Sequence, residues 1–200
     1  MTTALNGLLA GLSLIVAIGS QNVFVLRQGI RREHVLAVVV VCIASDAVLI
    51  TAGAGGLGAL VRAAPELVAI ARWAGVAFLL GYAAFAARRA LRGGEFLQAD
   101  GAGQRKGLGA VVTTALALTW LNPHVYLDTV LLLGSIATTH GAQAWQFAAG
   151  ALVGSTLWFS ALGFGARGLG HVLSSARSWR VLDGVVAVTM VAVAGMLAAG

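Results

Sequence analysis

Charge is what this chain has least of. Lys, Arg, Asp and Glu make up 10% of its 200 residues, against about 25% in soluble domains. With 59% hydrophobic residues and a mean hydropathy of +0.91, that shortage excludes a soluble globular domain and implies a polytopic membrane protein. Cysteine is nearly absent too. Cys42 stands alone, which excludes an intramolecular disulfide and a thiol electron carrier, both of which need a pair. Within an apolar run it reads as a small core hydrophobe, since a reactive thiol needs exposure and activation. Proline occurs twice. Pro65 precedes Glu66 at the start of an apolar run, an ordinary first-turn position. Pro123 lies inside one, where it breaks a helix. The net charge of +6 would suggest a nucleic-acid partner in a soluble protein. Here the 13 Lys and Arg gather at the ends of apolar runs, where they set orientation, and no nucleic acid is implied.

What the chain has in quantity is membrane-length apolar sequence. A span needs roughly 20 such residues, and six candidates appear, at about 4–26, 35–60, 66–88, 107–138, 142–166 and 179–199. Leu5–Ile18 resembles the apolar part of a signal peptide. However, residues 1–6 hold no Lys or Arg, and the positive charge follows at Arg27, Arg31 and Arg32, so it reads as an uncleaved first span. The fold class expected is therefore all-α, one transmembrane domain over 1–200. A polar stretch at 92–106 divides it into halves at about 1–91 and 107–200. With three spans each, the halves insert with opposite orientation, as a 3+3 inverted repeat. The loops after spans one, three and five carry 11 of the 13 cationic residues. The positive-inside rule puts those loops in the cytoplasm and both termini outside. Gly150 and Gly154 form a GxxxG-like pair, read as close packing within the chain rather than a dimer face. A homo-oligomer is left open.

Each half has a polar interruption in its first span. Gly19-Ser20-Gln21-Asn22 brings polar residues to membrane depth in span one, and Asn122-Pro123 breaks span four. Paired interruptions of this kind point to a transporter's binding site. Asp46 lies alone near the middle of span two, where a carboxylate costs at least ~2.5–3.5 kcal/mol. Asp128 follows the break in span four, four residues after His124 and so on the same helix face. Two isolated acids in two spans suit a pathway for a cation or a proton. Asp46 can otherwise be a protonated structural acid, and His124 a histidine that only bonds a carbonyl. A metal needs more ligands than this His and Asp supply, so no metal and no cofactor are implied. The amides of Gln21, Asn22 and Asn122 can replace backbone bonds lost at the breaks or hold a substrate's carboxylate or ammonium. Trp120 and Tyr126 flank the second break, as packing or as pocket wall. Asp183, three residues after Arg180, reads as half of an interfacial ion pair with no transport role.

AIGSQNVFVLRQGIRREHVL, the aspartate of CIASDAVLI, and LTWLNPHVYLDTVLLLG resemble the lysine/arginine exporter family (LysE type) of bacterial inner-membrane proteins. The resemblance covers essentially the whole chain. The Gln-Asn and Gly-x-Arg-Arg block is shared with exporters of neutral amino acids, whereas NPHVYLDT resembles the basic amino acid branch. Ser20 departs from the alanine or proline found there in relatives. The resemblance implies export of L-lysine, L-arginine or close analogues, driven by the membrane potential or the proton gradient. It also implies that Asp46 and Asp128 act as a pair. The competing readings are an exporter of neutral amino acids or another small cation, and, from a different class, an intramembrane enzyme. The enzyme reading lacks its motifs: no Gly-x-Gly-Asp accompanies either aspartate, and no serine sits in Gly-x-Ser-x-Gly.

Overall fold

A chain so poor in charge must satisfy its backbone hydrogen bonds within itself wherever lipid surrounds it, and helices do so segment by segment. The computed structural model describes residues 2–16, 19–57, 65–92, 107–169 and 176–199, and every regular element among them is helical. In chain order these are α1 (Thr2–Ile15), α2 (Ser20–Arg31), α3 (Val35–Ala52, widening into a π-helical turn at Gly53–Leu57), α4 (Pro65–Arg92) and α5 (Leu108–Trp120). α6 runs through Pro123–Val125, a π-helical stretch at Tyr126–Leu133, and Gly134–Thr139; α7 (Ala144–Leu169) and α8 (Ala176–Ala199) complete the order. Arg62, the 93–106 portion of the polar stretch and Ala17-Ile18 lie outside the described residues. Pro65 is the first residue of α4, where its missing N–H costs nothing.

Four helical stretches have the length and composition to cross a membrane: Val35–Gly56, Arg72–Leu91, Gly141–Gly168 and Arg177–Met196. The first and fourth predicted spans are each two helices. α1 and α2 meet at 85°, and α5 and α6 are both short and apolar. The described helices thus number four full spans, or five if the bent α1–α2 pair is one, and the six-span count is not reached by helix length. The polar residues placed at the end of span one instead open the second helix, because Gly19 is the extended N-cap of α2 and Ser20–Asn22 form its first turn.

Two helix pairs hold the assembly together, α1 on α7 and α4 on α8, and α7 also packs against α2 and α3. The α1–α7 contact is made by glycine. A Cβ on Gly7 would collide with the Phe147 backbone, and one on Gly150 with the Ala4 backbone, so the helices touch main chain to main chain. This is the role of Gly150 and Gly154 within the chain, where small residues allow dispersion contacts that larger ones prevent. Cys42 is fully buried between α2, α3, α5 and α7 with Val25, Val38, Val111 and Phe159. The outward faces carry large apolar side chains, such as Leu5, Leu9, Val181, Val188 and Met196, as lipid requires.

Candidate functional site

Both helix breaks open onto one cavity of about 110 Å³. Gly19, Ser20, Gln21 and Asn22 line it from the first break, and Asn122, His124 and Asp128 from the second. Asp46 reaches it from α3, Leu79 from α4, Phe159 from α7, and Thr189 and Met190 from α8. Every residue singled out by sequence as a ligand candidate therefore lines this cavity. Pro123, the break itself, begins α6 beside it.

The aspartates are held differently. Asp46 is 4% exposed, and its Oδ2 accepts a 2.6 Å hydrogen bond from Ser155 Oγ of α7. Among the described residues no cationic side chain pairs with it. Asp128 is more open, its side chain 24% exposed, with His124 Nε2 3.2 Å from its Oδ2. The imidazole lies beside the carboxylate across one turn, although the winding loosens to a π-helix from Tyr126 onward. Loosened turns of this kind recur at functional sites because they re-aim side chains.

The two asparagines stabilise the breaks. Asn22 Nδ2 donates to the carbonyl of Ile15 (2.8 Å), which the end of α1 leaves without a helical partner. Asn122 Oδ1 accepts from the backbone N–H of His124 (3.2 Å). Trp158 Nε1 in turn donates to Asn22 Oδ1 at 3.3 Å. Trp120 and Tyr126 brace the second break from outside the cavity. Tyr126 donates its hydroxyl to the Trp120 carbonyl (2.8 Å), and Trp120 Nε1 donates to Ser45 Oγ (3.0 Å). Gln21 Nε2 and Ser20 Oγ are buried at the cavity without a hydrogen-bond partner. Unsatisfied buried polar atoms are costly, and these two donors stand at the N-terminus of α2, where anions are favoured.

Two features were not anticipated. Ser155 carried a signal, as a hydroxyl next to Gly154 in the middle of an apolar run, but its partner lies 109 positions away. Asp183 does not pair with Arg180. Its Oδ1 accepts from Arg27 Nη2 (2.6 Å) and Arg89 Nη2 (2.9 Å), joining α8 to α2 and α4, and it is buried. The i, i+3 spacing suggested a local pair, and tertiary packing brought two distant guanidiniums closer. No group of three or more His, Cys, Asp or Glu comes together among the described residues.

The family model described as LysE type translocator matches residues 12–200. A Mycobacterium tuberculosis protein named provisionally as an amino-acid transporter is 49% identical, over 92% of this chain and 90% of its own. The lysine exporter LysE of Corynebacterium efficiens is 41% identical over 97% of each chain. The arginine exporter protein ArgO of an Enterobacter species is 40% identical over 96% of this chain and 92% of its own. No solved structure matches. A multi-pass helical protein whose two helix breaks share one acidic cavity, matched over nearly its whole length, belongs to the LysE-type translocator family, whose named members are amino acid exporters and not enzymes.

Proposed function

We propose that this chain exports basic L-amino acids, lysine or arginine, from the cytoplasm across a bacterial inner membrane. The observation that carries the reading is the shared cavity, at which both breaks and both membrane-depth acids meet. A basic amino acid has a cationic side chain, an ammonium and a carboxylate. Asp46 and Asp128 suit the cation or a coupling proton. The first turn of α2, with the unpartnered Gln21 Nε2 and Ser20 Oγ, suits the carboxylate. A buried acid without a cationic partner is costly unless it is protonated or paired by its ligand, and Asp46 is such an acid. Export is driven by the proton gradient or the membrane potential, and the cavity is reached alternately from each face.

Alternating access follows naturally from an inverted repeat, with α1–α4 as one half and α5–α8 as the other. The packing supports it. α1 lies on α7 as α5 lies on α3, and the α3–α7 and α4–α8 pairs relate each element to its counterpart. The cytoplasmic face is the one where Arg27, Arg31, Arg88 and Arg89 gather, with both termini outside. Names of relatives as lysine and arginine exporters favour these substrates. The test is efflux from cells loaded with lysine- or arginine-containing dipeptides, with and without the protein. Faster efflux of basic amino acids is expected. Efflux of neutral amino acids alone would replace the substrate, and no efflux of either would remove the function.

A further inference from the structure

A second cavity, of about 220 Å³, follows the first along the same helices toward the arginine-rich face. On α2 the acidic cavity takes Gly19–Asn22 and the second takes Phe24, Arg27, Gln28 and Arg31. On α4 the first takes Leu79 and the second Tyr82, Phe85 and Arg89. Buried Val23, Leu79 and Met190 pack into one apolar cluster between them. The second cavity, here the vestibule, thus lies on the arginine-rich side of the first, across that apolar layer.

Its charges do not balance. Arg27 and Arg89 donate to the same Oδ1 of Asp183, so two guanidiniums share one carboxylate oxygen with side chains 20% and 14% exposed. The Nε–H groups of both arginines are buried without a partner. So is Oε1 of Gln28, a residue 94% buried by its 6% exposure, on the vestibule wall. A tether needs only one arginine on Asp183, and buried donors and acceptors are normally paired. Surplus guanidinium donors suit a carboxylate, which they bind in a planar fork. An unpartnered amide oxygen close by suits an ammonium. Together they match the backbone end of an α-amino acid.

We propose that the vestibule is a second binding station for the α-carboxylate and α-ammonium of the substrate, with Asp183 the internal carboxylate that the substrate displaces from Arg27 and Arg89. Displacement removes the ion-pair link from α8 to α2 and α4 and so loosens the apolar layer above the acidic cavity. The proposal rests on the export reading and deepens it.

Initial efflux rates from proteoliposomes, measured against internal L-arginine concentration, provide the test. Arg89→Gln raises the half-saturating concentration about tenfold or more, as expected for one charge-assisted hydrogen bond. Gln28→Met keeps the side-chain length, breaks no bond at Oε1, and raises it about threefold to tenfold. Asp183→Asn, by weakening the internal competitor, lowers it. A tether instead predicts that the Arg89 and Asp183 variants change in the same direction and that Gln28→Met leaves affinity unchanged, and either result overturns the station while wild-type efflux upholds the exporter. If the wild type exports no basic amino acid, the export reading falls on its own. The station is then decided by thermal stabilisation of the detergent-solubilised protein. L-Arginine stabilising the wild type but not Arg89→Gln keeps it, and equal stabilisation of both, or of neither, overturns it. Agmatine, which lacks the carboxylate, is expected to be indifferent to Arg89→Gln, and sensitivity of agmatine to that change also overturns the station.

Discussion

Asp46 and Asp128 share a cavity but not a setting. Ser155 holds Asp46 in the buried wall, whereas Asp128 and His124 stand more open. Asn keeps the size of Asp and removes the charge, and losing the partner of a desolvated cation costs about 3–5 kcal/mol. Asp46→Asn and Asp128→Asn are therefore each expected to insert normally and to lose about 99% of export or more. The double variant should be little worse than either, because residues that act as a unit are not additive. Efflux of lysine and arginine, normalised to protein in the membrane, checks this, and near-normal efflux from the double variant would leave both acids structural. Ser155→Ala removes one hydrogen bond to a carboxylate, commonly about 1.5–3 kcal/mol, and should lower export about tenfold to a hundredfold while Asp46 stays in place. The acids were legible in the sequence because a carboxylate in an apolar run has few explanations. Ser155 was not, because a hydroxyl can satisfy itself on its own helix, and only packing showed that this one turns to Asp46.

At the scale of the element, glycine decides how closely helices meet. Gly150 presses on the α1 backbone and Gly165, on the same α7 helix, has no neighbour within 4 Å of its Cβ position. The same Gly→Ala change should therefore have opposite consequences. At Gly150 it forces α1 away and costs about 1–3 kcal/mol. At Gly165 it improves helix propensity by up to about 1 kcal/mol. Thermal unfolding in detergent checks the pair, and equal shifts would mean that α1 does not pack on α7 as described. The breaks themselves could be read from Asn122-Pro123 and from Gly19 with its polar followers. Their geometry could not. Proline removes a donor wherever it sits, but the 85° turn between α1 and α2 and the π-helical winding around Asp128 depend on what each helix packs against.

For the whole molecule the prediction concerns which face is which. The proposed orientation, argued from the Lys and Arg distribution, has the α2–α3 turn in the cytoplasm and the α6–α7 turn outside. Cys42, the single cysteine, is fully buried, so an introduced cysteine reports with little background. In intact cells a membrane-impermeant maleimide should label Ala142→Cys and spare Glu33→Cys. After permeabilisation both should label. Labelling of both from outside would place the arginine-rich face and the α6–α7 turn on one side and end the inverted-repeat reading.

By itself the sequence determined that the chain lives in lipid, that it is helical, that polar residues interrupt two of its apolar runs, and that two acids stand isolated in such runs. Each follows from a local cost: a charge in hydrocarbon, an unpaired backbone group, or a proline without a donor. The tertiary structure alone decided that the two interruptions meet. It also decided that Ser155 holds Asp46, and that Asp183 binds Arg27 and Arg89 rather than Arg180. Those partners are set by which helix faces approach, and approach depends on where Gly7 and Gly150 let backbones touch. Local sequence fixes the cost of burying a polar group, and packing selects the partner that offsets it.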